Sequence, residues 1–165
     1  MSRQALVAIL TALFTSVVQA NSTPADAPDK AVQVLYPAAQ QNAQKGAPEH
    51  FTGEVRVDRL FPANDTAHYS GAYVTFQPGA RSAWHMHPAG QHIVVTQGVA
   101  LSGTRDGKIF RAETGDSLWC PPGVEHWHGA TPDAAMTHLV ITGVRDGRNV
   151  VWQEHVTDAQ YRGQP

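Results

Sequence analysis

Short runs of alternating apolar and polar residues dominate the chain from Phe51 onward. Period-two alternation predicts half-buried β-strands, and turn signals such as Pro78-Gly79 and Asp106-Gly107 separate the runs. Many short strands with little helical periodicity predict an all-β sandwich or barrel. The strands are predicted at 54–60, 70–77, 82–87, 91–97, 99–105, 108–112, 117–120, 125–130, 136–143 and 150–156, followed by a helical turn at 157–161 that Thr157 caps.

The part of the chain before this domain differs in composition and mostly lacks the alternating pattern. Residues 1–20 combine Arg3, an apolar run and Val18-Gln19-Ala20, which is the pattern of a cleavable secretory signal peptide. We expect cleavage after Ala20 and a mature protein in the periplasm or secreted. Residues 21–50 are rich in Ala, Gln, Pro and Asp and predict an irregular arm or linker that leads into a domain at 51–165. Within that arm, residues 32–36 could form one strand that pairs with a neighbouring subunit.

Charge and cysteine content narrow the function classes. The chain has 12 basic and 14 acidic side chains, which argues against nucleic acid and against an anionic membrane surface as partners. Cys120 is the single cysteine, so no internal disulfide stabilises the fold. From the charge balance we therefore expect neither nucleic acid nor a membrane surface as a partner.

Histidines at a metal-ligand spacing are the main chemical signal. Side chains at positions i and i+2 of a strand point to the same side, so His85 and His87 can direct both imidazoles at one point. Gln91 follows four residues later and His126 lies in a second cluster after Pro121-Pro122-Gly123. Three imidazoles and a neutral amide oxygen are a plausible donor set for one divalent transition metal.

The spacing of these clusters resembles the two signature motifs of the cupin superfamily. The first cluster is Gly79-x5-His85-x-His87-x3-Gln91-x6-Gly98, with Gln91 where the usual motif has glutamate, and the second is Gly115-x5-Pro121-x-Gly123-x2-His126. The resemblance implies an all-β cupin double-stranded β-helix, or jelly-roll barrel, after the irregular N-terminal arm. It also implies that His85, His87, Gln91 and His126 are the metal ligands. Imidazole and amide donors leave Mn, Fe, Zn, Ni and Co open.

A narrower resemblance covers residues 51–161. Segments 76–81, 87–91, 120–130 and 136–139 are similar to small bacterial cupins that include manganese-dependent (R)-selective hydroxynitrile lyases and cupins associated with carboxymuconolactone decarboxylases. This resemblance implies manganese as the preferred metal and, together with the arm, a homodimer. The resemblance supports the fold and the metal ligands more strongly than it supports the reaction, because one fold can carry many different reactions.

Two further histidines and a set of wall residues complete the predicted site. Strand alternation places His128 on the face of His126, and in the lyase-like relatives a histidine that matches His138 lies in the cavity. We predict that both are catalytic, the alternative being that they are hydrogen-bonded wall histidines. His92 should face outward. Alternation also predicts that the substrate pocket is lined by Ala72, Val74, Phe76, Ile93, Val95 and Thr142.

These features favour a metal-dependent lyase acting on a small hydroxylated molecule, in the manner of hydroxynitrile lyases. Three alternatives remain at the level of sequence. They are an Fe- or Cu-dependent oxygenase, an isomerase or decarboxylase-linked enzyme acting on a small organic acid, and a non-enzymatic extracytoplasmic protein that binds a metal or small molecule.

Overall fold

A computed structural model describes residues 32–164. The leader predicted at residues 1–20, and residues 21–31 of the predicted arm, lie outside the described residues. From Leu35 onward the chain forms one compact unit, whereas residues 32–34 are exposed and carry no secondary structure. No helix within residues 32–164 is long and apolar enough to cross a membrane.

Residues 32–164 contain thirteen strands and one short helix. This almost all-β content agrees with the alternating pattern, although that pattern predicts only ten strands. A single 3₁₀ turn, Ala38–Gln40, precedes them. The strands are β1 Ala43–Lys45, β2 Phe51–Thr52, β3 Val55–Phe61, β4 Tyr69–Phe76, β5 Arg81–Ser82, β6 His85–Met86, β7 Gln91–Gln97, β8 Val99–Thr104, β9 Ile109–Glu113, β10 Ser117–Cys120, β11 His126–Ala130, β12 Met136–Gly143 and β13 Val151–Trp152, and the helix is α1 Asp158–Tyr161.

The strands form two antiparallel sheets, and the all-β jelly-roll prediction is confirmed. One sheet has the order β1-β3-β4-β12-β7-β10, and the other contains β13-β6-β11-β5-β2 with β8 and β9 beyond β11. Some neighbouring strands are far apart in sequence; for example, β12 pairs with both β4 and β7, and β11 pairs with both β5 and β6. This interleaving is what brings the two histidine clusters together, because β6 and β11 pair directly through His85 and His126.

The inner faces of the two sheets enclose the main core. The six-stranded sheet contributes large side chains, among them Phe76, Ile93 and Met136, each at most 1% exposed. The other sheet contributes mainly alanines, such as Ala80, Ala100 and Ala130. Large residues facing small ones allow the sheets to approach closely at this end of the barrel. The remaining space between the sheets is the cavity described below.

A second apolar cluster packs outside the barrel, beneath the C-terminal helix. Trp84 precedes His85 and Trp127 follows His126. Both tryptophans point away from these histidines and pack with Val156 and Tyr161. Trp127 lies flat on Gly103, where a Cβ atom would come within 2.3 Å of the indole nitrogen, so only glycine fits there. The predicted cap of α1 is confirmed, because Thr157 and Gln160 form a reciprocal capping box.

Three predicted elements differ from the observed ones. No strand forms at residues 32–36; instead β1 pairs with β3 of the same chain. The strand predicted at 82–87 is split into β5 and β6, because the backbone N–H groups of Ala83 and Trp84 donate to the distant carbonyls of His50 and Glu154. The strand predicted at 150–156 is reduced to β13.

Candidate metal centre and cavity

Three imidazoles at the site are fixed in the same way by the backbone. Each donates from Nδ1 to a main-chain carbonyl, so its neutral ring keeps the lone pair on Nε2 and directs it inward. Carbonyls cannot accept from a ring nitrogen without a proton, and the tautomer is therefore set by the fold. The pairs are His85 with Ala83 at 2.9 Å, His87 with Asn149 at 2.6 Å and His126 with Val124 at 3.0 Å.

Inward-facing atoms of this set lack hydrogen-bond partners within the described part of the chain. Nε2 of His87, Nε2 of His126 and Oε1 of Gln91 are all buried and unpaired. The other end of the Gln91 amide donates from Nε2 to Oγ1 of Thr142 at 2.9 Å, which turns Oε1 toward the imidazoles. Leaving one buried acceptor unpaired costs about 1–3 kcal/mol. Three such acceptors that converge are the donor chemistry of a cation site, and they fit a divalent transition metal.

The rings lie close enough to share one ion. Ring centroids are 4.4 Å apart for His85 and His126, 5.0 Å for His85 and His87, and 5.4 Å for His87 and His126. A second combination is also compact, since His85, His126 and His128 can each offer a nitrogen within 4.8 Å of the others. The histidine cluster could therefore bind a metal with either arrangement of donors.

Burial keeps these histidines neutral. It is the largest cause that lowers the pKa of His126, lowers the pKa of His87 to about 4, and lowers the pKa of His85 well below its usual value. Charge on the neighbouring histidines depresses the pKa of His85 further. At neutral pH all three rings are unprotonated, which is the form that binds a metal.

His128 and His138 form a separate pair beside the cluster. Nε2 of His138 lies 3.1 Å from Nδ1 of His128, so one of the two nitrogens donates to the other. His128 lines the cavity, whereas His138 is fully buried behind it. Burial, as the largest cause, lowers the pKa of His138 to about 4 and that of His128 well below its usual value. This pair therefore adds one imidazole, that of His128, to those of His85 and His87 in the cavity, and His138 supports it from behind.

A cavity of about 890 Å³ opens above the cluster. His85, His87, Gln91 and His128 line its floor. Its rim includes Leu35–Pro37, Gln44–Ala47 and Arg59–Ala63. Of the predicted wall residues, Ala72, Val74 and Thr142 line the cavity. Phe76, Ile93 and Val95 face the same way along their strands but are buried in the core beneath it.

Several residues at the site were not singled out from sequence. Trp152 on β13 lines the cavity and lies 4.9 Å from the His85 ring, and Asn149 supplies the carbonyl that orients His87. The pair Asp146-Gly147 shortly before them is a turn signal in the sequence, but a turn signal does not indicate that the following segment returns to the histidines. The outward prediction for His92 agrees with its exposed position, where it stacks on Trp119.

The sequence is similar to a known protein family and to a curated relative. The family model for the cupin domain matches residues 72–142. The (R)-mandelonitrile lyase of Granulicella tundricola is 52% identical over 122 residues, which cover 74% of this chain and 93% of that protein. Similarity therefore extends well beyond the two histidine clusters.

Solved structures resemble the fold as well. A cupin-like protein from Thermotoga maritima is 36% identical and superposes with a TM-score of 0.68, over 72% of this chain and 90% of that one. A cupin-2 domain protein from Rhodospirillum rubrum is 17% identical with a TM-score of 0.59, over 82% and 88% of the two chains. At that identity the second likeness concerns the fold alone.

Proposed function

Because this chain belongs to the cupin family, we propose that it is a metal-dependent lyase for small cyanohydrins. It cleaves the bond between the hydroxyl-bearing carbon and the nitrile carbon, which releases hydrogen cyanide and a carbonyl compound, and it runs the reverse addition. One observation carries the proposal: unpaired metal-type donors lie beside a separate imidazole, His128, on the floor of one cavity. The similarity to an (R)-mandelonitrile lyase supports the substrate class.

We propose that the metal is held by Nε2 of His85, His87 and His126 and by Oε1 of Gln91. This set is preferred over one that includes His128, because His87, Gln91 and His126 each carry a buried acceptor without a partner in the described chain, whereas no atom of His128 is among such acceptors. Manganese is the ion we favour, with Fe, Zn, Ni and Co sharing the donor preference. Four neutral donors leave the full charge on the ion, which supplies Lewis acidity that lowers the pKa of a bound hydroxyl group.

His128 is the proposed proton acceptor. Since its Nδ1 is paired with His138, its Nε2 is the nitrogen available to a substrate hydroxyl. As the proton moves to Nε2, the electrons of the O–H bond form the carbonyl and those of the C–C bond leave with cyanide. The low pKa of His128 then favours return of the proton to cyanide, which departs as hydrogen cyanide. His138 is a positioning residue, because it meets the cavity only through His128.

Variants of the two histidines test these roles. In the metal-loaded protein, His128→Ala is expected to lower kcat for (R)-mandelonitrile cleavage about a hundredfold with its metal content unchanged. His138→Ala should lose less activity and shift the pH profile, because the hydrogen bond to His128 is lost. Benzaldehyde absorbance at mildly acidic pH measures the rate.

His92→Ala, which changes an exposed histidine next to Gln91, is the control and should match the wild type. Full activity of His128→Ala would refute the role of His128. Metal-loaded wild type that neither cleaves nor forms mandelonitrile would refute the lyase proposal.

We also propose that the protein acts outside the cytoplasm as a homodimer. The leader pattern at residues 1–20 supports export. The outer face of the six-stranded sheet supports self-association, since it exposes Tyr69, Tyr73 and Trp119. Native mass spectrometry of protein from the periplasmic fraction should give twice the mass of a chain that begins at Asn21. A monomer mass, or a chain that begins at Met1, would contradict the respective proposal.

A further inference from the structure

The cavity has a one-sided charge. The chain contains 14 acidic side chains, yet none is among the residues that line the cavity in the described part of the chain. The charged residues that do line it are Lys45 and Arg59. The donors on its floor are neutral, so they do not offset this positive charge. A cavity that excludes carboxylates in an otherwise acidic protein favours an anionic ligand.

Of these two cations, strand register directs Arg59 to the cavity. Arg59 lies opposite Ala72, and Val57 lies opposite Val74, in the pairing of β3 with β4. Opposed residues share a face of the sheet, and Ala72, Val74 and Val57 all line the cavity. Lys45 lies opposite Arg56, which belongs to the other face. Arg59 is therefore on the inner face, at the rim.

Arg59 has no carboxylate partner within residues 32–164, in contrast to Arg56. On the same strand, Arg56 binds Asp58 on the outer face with contacts of 2.7–3.1 Å. A free guanidinium presents a planar set of N–H donors that matches a carboxylate in two parallel hydrogen bonds. Arg59 thus retains its full capacity for an acid group that enters the cavity.

We infer that Arg59 is a specificity determinant that binds a carboxylate on the substrate, at the end remote from the reacting hydroxyl. The inference rests on the proposed function and narrows its substrate class to small hydroxynitriles that also carry an acid group. The size of the cavity agrees, since about 890 Å³ lies toward the upper end of the range for drug-sized ligands. A phenyl-sized group beside the histidine cluster would fill only part of this volume and leave space for a further substituent directed toward the rim.

A pair of substrates tests this assignment. In the wild type, kcat/KM for 4-carboxymandelonitrile is expected to exceed that for mandelonitrile about tenfold, mostly through KM. Arg59→Gln should abolish this preference and so lower the ratio of the two values about tenfold, at the lower end of the range for a charge-assisted hydrogen bond, and Arg59→Lys should restore part of it. Arg56→Gln, on the outer face of the same strand, is the matched control and should keep the wild-type ratio.

A binding measurement separates this inference from the lyase proposal. Calorimetric titration with 4-(hydroxymethyl)benzoate should show weaker binding to Arg59→Gln than to wild type, whereas its methyl ester should bind both alike. If neither cyanohydrin is cleaved but the acid still depends on Arg59, the lyase proposal fails and the carboxylate site stands. If the acid and the ester bind wild type equally, or Arg59→Gln weakens both equally, the carboxylate site is overturned.

Discussion

His126→Ala is expected to purify with little or no bound metal and to cleave mandelonitrile about a thousandfold more slowly than the wild type. The imidazole of His126 is 1% exposed, and its Nε2 is a buried acceptor without a partner in the described chain. Its removal deletes one of four proposed donors and with it several kcal/mol of transition-state stabilisation, each 1.36 kcal/mol being tenfold in rate. Elemental analysis of the purified protein and initial rates at saturating metal measure the two effects.

The same experiment distinguishes the two donor arrangements. His128→Ala should retain its metal if the donors are His85, His87, Gln91 and His126, and lose it if His128 is a ligand. His92→Ala removes a histidine from the exposed face of β7 and controls for loss of imidazole as such. Circular dichroism shows whether His126→Ala remains folded. A folded His126→Ala protein with normal metal content would contradict the proposed site.

Acid is expected to unfold the metal-free protein at about pH 4. Burial lowers the pKa of His87 and of His138 from 6.5 to about 4, so both stay neutral in the folded state. Below pH 6.5 the unfolded chain takes up protons at these positions while the folded chain does not. Stability is therefore fully present above pH 6.5 and is lost as the pH falls toward 4. Each of the two histidines lowers the free energy of unfolding by about 3 kcal/mol at pH 4. The total free energy of unfolding of a typical domain is about 5–15 kcal/mol.

Denaturant titrations of chelator-treated protein between pH 7 and pH 4 give the free energy of unfolding directly. The slope against pH should correspond to uptake of about two or more protons on unfolding. His138→Leu removes one titrating group and should reduce that uptake by about one. Bound metal should delay the loss, since protons must first displace it. A stability that is independent of pH over this range would contradict the buried neutral histidines.

Periodicity predicts most of this fold, and its failures have a common cause. Strands 91–97, 117–120 and 136–143 match the observed β7, β10 and β12 to the residue, because in each an alternating run is paired along its length. The segment 82–87 alternates as well, but the backbone at Ala83 and Trp84 exchanges hydrogen bonds with His50, Gln153 and Glu154. Partners so distant in sequence leave no local signal.

The sequence predicts which residues face the inside of the barrel, but not how far along the barrel axis each of them lies. Alternation gives the face on which a side chain lies, and Phe76, Ile93 and Val95 do lie on the inner face of their sheet. It does not give the level along the barrel, which depends on how closely the two sheets approach. The same limit applies to His138, whose place behind His128 follows from the pairing of β12 with β7. Arg59 carried no sequence signal, since its role depends on what faces it.

The main-chain anchoring of the three imidazoles has a consequence for how this protein can change. Ala83, Val124 and Asn149 orient the rings through their carbonyl groups, and every residue type has a carbonyl. Mutations of those side chains can therefore accumulate without altering which ring nitrogen faces the ion, as long as the backbone path is kept. The orientation of the three imidazoles is therefore insensitive to substitutions of these side chains. New substrate preferences can then arise from changes to the cavity wall and rim, at little risk to the centre beneath them.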